Sequence, residues 1–141
     1  MTKEIILTIS GAHQYPNSGD DQINLVTEGV MRELGDALEL EYEESELTDM
    51  EGTVTNIIIQ GPQVSLMRTG EVCSQMVFEQ GRRHLSVYST PYGTLEIAVA
   101  TQRLENHLTL QGGTLEIDYS LEMDHALVGF VAFRLSVRVK E

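Results

Sequence analysis

Side chains able to do chemistry are few in this 141-residue chain, and they are scattered. None of the four histidines, His13, His84, His107 and His125, has another at i+2 or i+4. Those are the spacings at which one strand or one helical turn offers two ligands to a single metal ion. No metal is expected, and no other cofactor. Cys73 is the single cysteine, which excludes an intramolecular disulfide. With no local base it reads as an inert thiol in a reducing cytosol. The sequence has no glycine-rich phosphate loop, no G-x-S-x-G elbow and no H-E-x-x-H stretch. One candidate constellation remains: Tyr42, Glu44, Arg68, Tyr92 and Tyr119. A guanidinium among phenols can fork onto a ligand carboxylate. Alternatively, Arg68 and Glu44 can close on each other as an ion pair at a rim, stabilising little.

Whether those side chains meet depends on the elements that carry them. Asp36–Glu43 alternates acidic and apolar residues strictly, and Thr114–Glu122 repeats the pattern. A period of two gives a β-strand with one face on a core and the other in water. Turn signals at Gly35-Asp36, Gly61-Pro62, Thr69-Gly70, Gln80-Gly81, Thr90-Pro91-Tyr92-Gly93 and Gly112-Gly113 separate such runs. Strands are expected near 3–10, 22–33, 36–44, 53–60, 63–68, 71–79, 82–89, 94–104, 106–111, 114–122 and 129–140, with a bend at Glu105-Asn106. Gly29 and its β-branched neighbours count against a helix over 22–34.

The pattern predicts an all-β chain: one domain over 1–141, a closed or nearly closed antiparallel up-and-down barrel of about eight to ten strands. Parity places Tyr42, Leu66, Leu95, Ile97, Ile117, Tyr119 and Phe133 inside, along with Arg103 at the end opposite Arg68, where it would snorkel to solvent. Odd-numbered strands finish at one end, so Glu44, Arg68 and the Thr90–Gly93 turn should gather there. Loops expected at 11–21, 45–52 and 122–128 would make that end the open mouth. Side chains this bulky just fill a barrel of about eight strands, and a ligand cavity needs more strands or an open mouth.

Charge bounds the partners. Nine Lys and Arg against 22 Asp and Glu give a net charge of −13, which repels a phosphate backbone or an anionic bilayer. Neither nucleic acid nor membrane is an expected partner. No run is long and apolar enough for a spanning helix, and no strand carries an apolar outward face. Met1-Thr2-Lys3-Glu4 lacks the features of a secretory leader, so a cytoplasmic location is expected. Outward residues Ala132, Arg134, Ser136 and Arg138 form a basic stripe that could meet an acidic face of a second copy, giving a homodimer.

Several local patterns occur in a fixed order: Tyr42-Glu43-Glu44-Ser45, Leu66-Met67-Arg68-Thr69-Gly70, Thr90-Pro91-Tyr92-Gly93 with Leu95-Glu96-Ile97, then Gly112-Gly113 and Ile117-Asp118-Tyr119. Over residues 25–122 this series resembles the YwiB-like family of uncharacterised bacterial proteins. The resemblance implies a lipocalin-like, calycin-type barrel in a bacterial cytoplasm, with no catalytic residues to carry over. True lipocalins hold a tryptophan in their first strand, whereas this chain has none, so any kinship with them is architectural. Three function classes stay open. The first is a non-enzymatic barrel binding a small, partly apolar, anionic ligand at its mouth. The second is a filled-core protein acting through its outer surface, and the third an enzyme using Glu44 with Arg68.

Overall fold

The computed structural model describes residues 2–15, 19–43, 52–70 and 73–140. Alternation becomes strand throughout: β1 (Thr2–Tyr15), β2 (Gly19–Leu34), β3 (Ala37–Glu43), β4 (Val54–Gln60), β5 (Gln63–Thr69), β6 (Cys73–Glu79), β7 (Arg83–Thr90), β8 (Gly93–Asn106), β9 (Gly112–Met123) and β10 (Ala126–Val139). Each strand pairs antiparallel with the next, and β1 pairs with β10, so the sheet closes into a ten-stranded up-and-down barrel. Closure removes the free edges that an open sheet of this size would expose.

Several boundaries differ from the sequence expectation, each for a local reason. β1 and β2 run far past 10 and start well before 22, so most of the loop expected over 11–21 is ladder, from Gly11↔Ile23 to Tyr15↔Gly19. The loop expected over 122–128 is a two-residue turn, with Asp124 and His125 both at positive φ. That geometry matches the twist of the flanking strands, and glycine or asparagine usually supplies it. Residues 107–111 are not a strand. Their loop folds over one end of the barrel, held by the Lys3 Nζ–Leu110 O hydrogen bond of 2.9 Å, and drops Leu108 onto the core. The loop expected over 45–52 falls mostly outside the described residues.

The bend expected at Glu105-Asn106 lies earlier. The β8–β9 register slips between Thr101 and Arg103, and one extra residue reverses the facing of everything after it. Arg103 therefore lies on the outer face, not the inner one, and bonds Glu116 Oε1 at 2.8 Å and Asp118 Oδ2 at 3.3 Å.

Packing is dense at the end closed by the 107–111 loop. Leu7, Met31, Leu40, Ile57, Val64, Phe78 and Leu115 lose essentially all solvent contact there. Gly29 marks a close approach in the barrel wall: a Cβ would press on the Glu41 carbonyl and sit 3.0 Å from Leu7 and 3.1 Å from Tyr42. Parity succeeds for Tyr42, Leu66, Ile97 and Ile117, all buried. Phe133 is half-buried and Leu95 exposed, because both lie near the opposite end, where the interior is not filled.

Candidate functional site

The register defines the site. Tyr42 lies opposite Thr55, Thr55 opposite Arg68, Arg68 opposite Ser74, and Ser74 opposite Tyr88. These five residues form one inward row across β3 to β7, and every one carries a polar group. The next rows inward are apolar: Leu40, Ile57, Leu66 and Met76, then Leu38, Ile59, Val64 and Phe78. A polar belt thus sits above an apolar chamber.

Beneath and beside the belt is a cavity of about 280 Å³. Its walls are Ile9, Gly11, His13, Leu25, Tyr42, Arg68, Met76, Tyr88, Ile97, Tyr119, Leu121, Met123, Val131 and Phe133. All lie toward the end where β1, β3, β5, β7 and β9 finish. Among the described residues, Arg68 is the one side chain of fixed charge on this wall, and His13 the one imidazole. The volume holds roughly nine waters at the ~30 Å³ each takes in the liquid. It therefore suits an organic molecule of on the order of ten non-hydrogen atoms.

Electrostatics in the chamber follow from burial. The Tyr119 hydroxyl is pushed up to about 12 by burial, which penalises the phenolate, while the nearby Arg68 charge pulls the other way. Its ring packs against Phe78 with centroids 4.8 Å apart and planes tilted by 55°, a favoured aromatic geometry. Ser74 Oγ, beside Arg68 on the belt, is buried with no hydrogen-bond partner among the described residues. The belt therefore holds spare hydrogen-bonding capacity.

Of the five residues singled out from sequence, Tyr42, Arg68 and Tyr119 meet on the cavity wall. Glu44 lies outside the described residues, so the expected Arg68–Glu44 pair does too. Tyr92 is a correction: it sits at the tip of the two-residue β7–β8 turn, is fully exposed, and does not reach the wall. A tight hairpin points its tip away from the barrel axis. Sequence reasoning missed Tyr88 and His13. Tyr88 was available from the parity of His84 and Ser86. His13 follows Ile5, Leu7 and Ile9 at even spacing, but Gly11 interrupts the pattern as a turn would.

The outer faces carry ion pairs instead. Arg103 and Arg134 clamp Glu116 and Asp118, with Arg134 Nη1 2.8 Å from Asp118 Oδ1. The Arg103 hydrogen bond holds the Glu116 carboxyl below its usual range. Burial raises Asp118, but hydrogen bonds and charge from Arg134 and Arg103 outweigh it and hold that carboxyl low as well. Arg32 bridges Glu39 at 2.9 Å and Glu41 at 3.3 Å on β2–β3. No group of three or more His, Cys, Asp or Glu suited to a metal ion occurs among the described residues.

Residues 7–135 match the family model described as Domain of unknown function (DUF1934), and the chain belongs to that family. A solved structure, the crystal structure of ywiB protein from Bacillus subtilis, is similar with a TM-score of 0.87. The match covers 99% of this chain and 94% of that one at 18% identity, a likeness of fold. No curated protein matches the chain.

Proposed function

For this DUF1934 barrel we propose a non-enzymatic binding role: uptake of a small, partly apolar, anionic ligand in the cavity inside the barrel. The observation that carries the reading is Arg68, the one fixed cation among the described residues of a mostly apolar and aromatic wall. Guanidinium offers five N–H donors in a planar fork, enough for a carboxylate beside other partners. Tyr42, Thr55, Ser74 and Tyr88 extend that polar belt, and Met76, Ile97, Leu121 and Met123 receive the apolar body. Such a mixture, mostly apolar with few convergent polar groups, is what ligand pockets share. The reading keeps the protein in a reducing cytosol, which suits the exposed Cys73 thiol.

The outer-surface alternative has less behind it. Its basic stripe is half committed, because Arg134 already binds Asp118 and Glu116 within the chain. The catalytic alternative has one of its two groups, Glu44, outside the described residues.

Octanoate, with ten non-hydrogen atoms, and octan-1-ol, its uncharged counterpart, test the reading by calorimetric titration. Octanoate should bind one-to-one with Kd on the order of 10 μM to 1 mM, the range expected for a ligand of that size. Arg68→Met should weaken octanoate about tenfold or more, the loss expected for a charge-assisted hydrogen bond. It should leave the alcohol within about threefold. Equal losses for both would remove the anion-orienting role. No binding of either ligand to the wild-type protein would remove the reading itself.

A further inference from the structure

One seam of this barrel is built unlike the others. β6 and β7 share two ladder pairs, Cys73↔Ser89 and Ser74↔Tyr88, whereas β5 and β6 share six and β7 and β8 eight. Carried onward, the β6–β7 register would set Gln75 against Val87, Met76 against Ser86 and Val77 against Leu85. The ladder forms none of these pairs. The strands are joined again at their turn, where Arg82 N–H donates to Glu79 O at 2.9 Å. The result is a slit pinned at both ends.

Two further observations bear on that slit. β7 buries none of its described side chains, while every other strand buries at least two. Strands with few buried contacts and missing rungs open at low cost. The slit also has apolar lips and an apolar floor. Leu85 and Val87 are 60% and 53% exposed on the outer face of β7, on a molecule of net charge −13. Met76 and Tyr88, one from each side of the seam, both line the cavity.

We propose that the β6–β7 seam is the lateral gate through which a partly apolar ligand enters and leaves the cavity, below the polar belt. This inference rests on the cavity being a binding site. Outward bowing of β7 breaks no ladder pair in the slit and exposes little buried surface. The ligand's apolar part slides past Leu85 and Val87 to Met76, and its anionic end then meets Arg68 from beneath.

A cross-link tests the gate. Val77→Cys with Leu85→Cys, in a Cys73→Ser background, puts two thiols at positions that the register, carried onward, sets opposite each other across the slit, and Gln75→Cys with Val87→Cys supplies a second staple. Asn56→Cys with Met67→Cys is the control, since those residues face each other across the fully laddered β4–β5 seam. Octanoate exchange is measured by NMR line shape on the oxidised and reduced proteins, with disulfide formation scored by thiol titration. The gate predicts that either slit staple slows association and dissociation about tenfold or more when oxidised. Kd should stay within about twofold, reduction should restore the rates, and the control staple should change nothing. Unchanged rates with both slit staples closed would overturn the gate while leaving the binding site standing. An equal slowing by the control staple would overturn it too. A wild-type protein that does not bind octanoate would remove the binding site and the gate together.

Discussion

The two ends of this barrel use the same strand pattern and reach opposite results. At one end Leu7, Met31, Leu40, Ile57, Val64, Phe78 and Leu115 close-pack, and the 107–111 loop drops Leu108 onto them. At the other, Gly11 stands where a large side chain could, Phe133 and Leu121 stay half-buried, and about 280 Å³ is left open around Arg68. Ten strands make a wider barrel than apolar side chains fill from end to end. One end is therefore packed, and the other keeps a cavity.

Truncation should separate the ends most sharply. Phe78→Ala removes a ring that packs on Tyr119 inside the dense layer and should cost about 3–5 kcal/mol in denaturant unfolding. Phe133→Ala, on the cavity wall, removes a half-buried ring that already borders empty space. It should cost less than half as much. Equal losses would mean that the two ends are packed alike.

Tyr119 lies on the border between the ends and gives the next largest effect. The folded chain keeps a phenol proton that the unfolded chain releases, since burial raises the group to about 12 from the ordinary 10.0. Stability should therefore fall as pH climbs from about 10 to about 12, by roughly 2–3 kcal/mol in total. Tyr119→Phe should flatten that part of the curve. A slope unchanged by the substitution would place the titrating group elsewhere.

The difference between the ends was scarcely legible in the sequence, although the barrel was. Alternation in Ala37–Glu43 and Gly112–Met123 fixes which side chains face inward, but both ends alternate equally well. What separates them is side-chain volume summed over ten strands, and a linear pattern does not carry that sum. Arg68 and Tyr42 were found because parity holds along short, regular strands. Arg103 was misplaced because the bulge at Gln102 leaves no mark on composition. The mouth loops were overestimated because Asp124-His125 makes a tight turn without the glycine that usually announces one.

Enlarging side chains sharpens the comparison from the other direction. Val64→Leu adds a methylene to the dense end and should cost about 1–3 kcal/mol by thermal unfolding. Leu121→Phe, facing the cavity, should change stability by less than about 1 kcal/mol and weaken octanoate by occupying its space. The smallest effect belongs to the turn that closes the open end. His125→Gly relieves a left-handed backbone at φ 71° and should stabilise by a few tenths to about 1 kcal/mol, leaving octanoate affinity unchanged.

The most direct measurement uses methionines already present at both ends. With ¹³C-labelled methyl groups, Met76 and Met123 report from the cavity wall, and Met31 from the dense layer. On titration with octanoate, the Met76 and Met123 signals should shift together and saturate at one equivalent, while Met31 stays in place. A Met31 signal that moves as far as theirs, or three signals that do not move at all, would contradict a barrel filled at one end and receptive at the other.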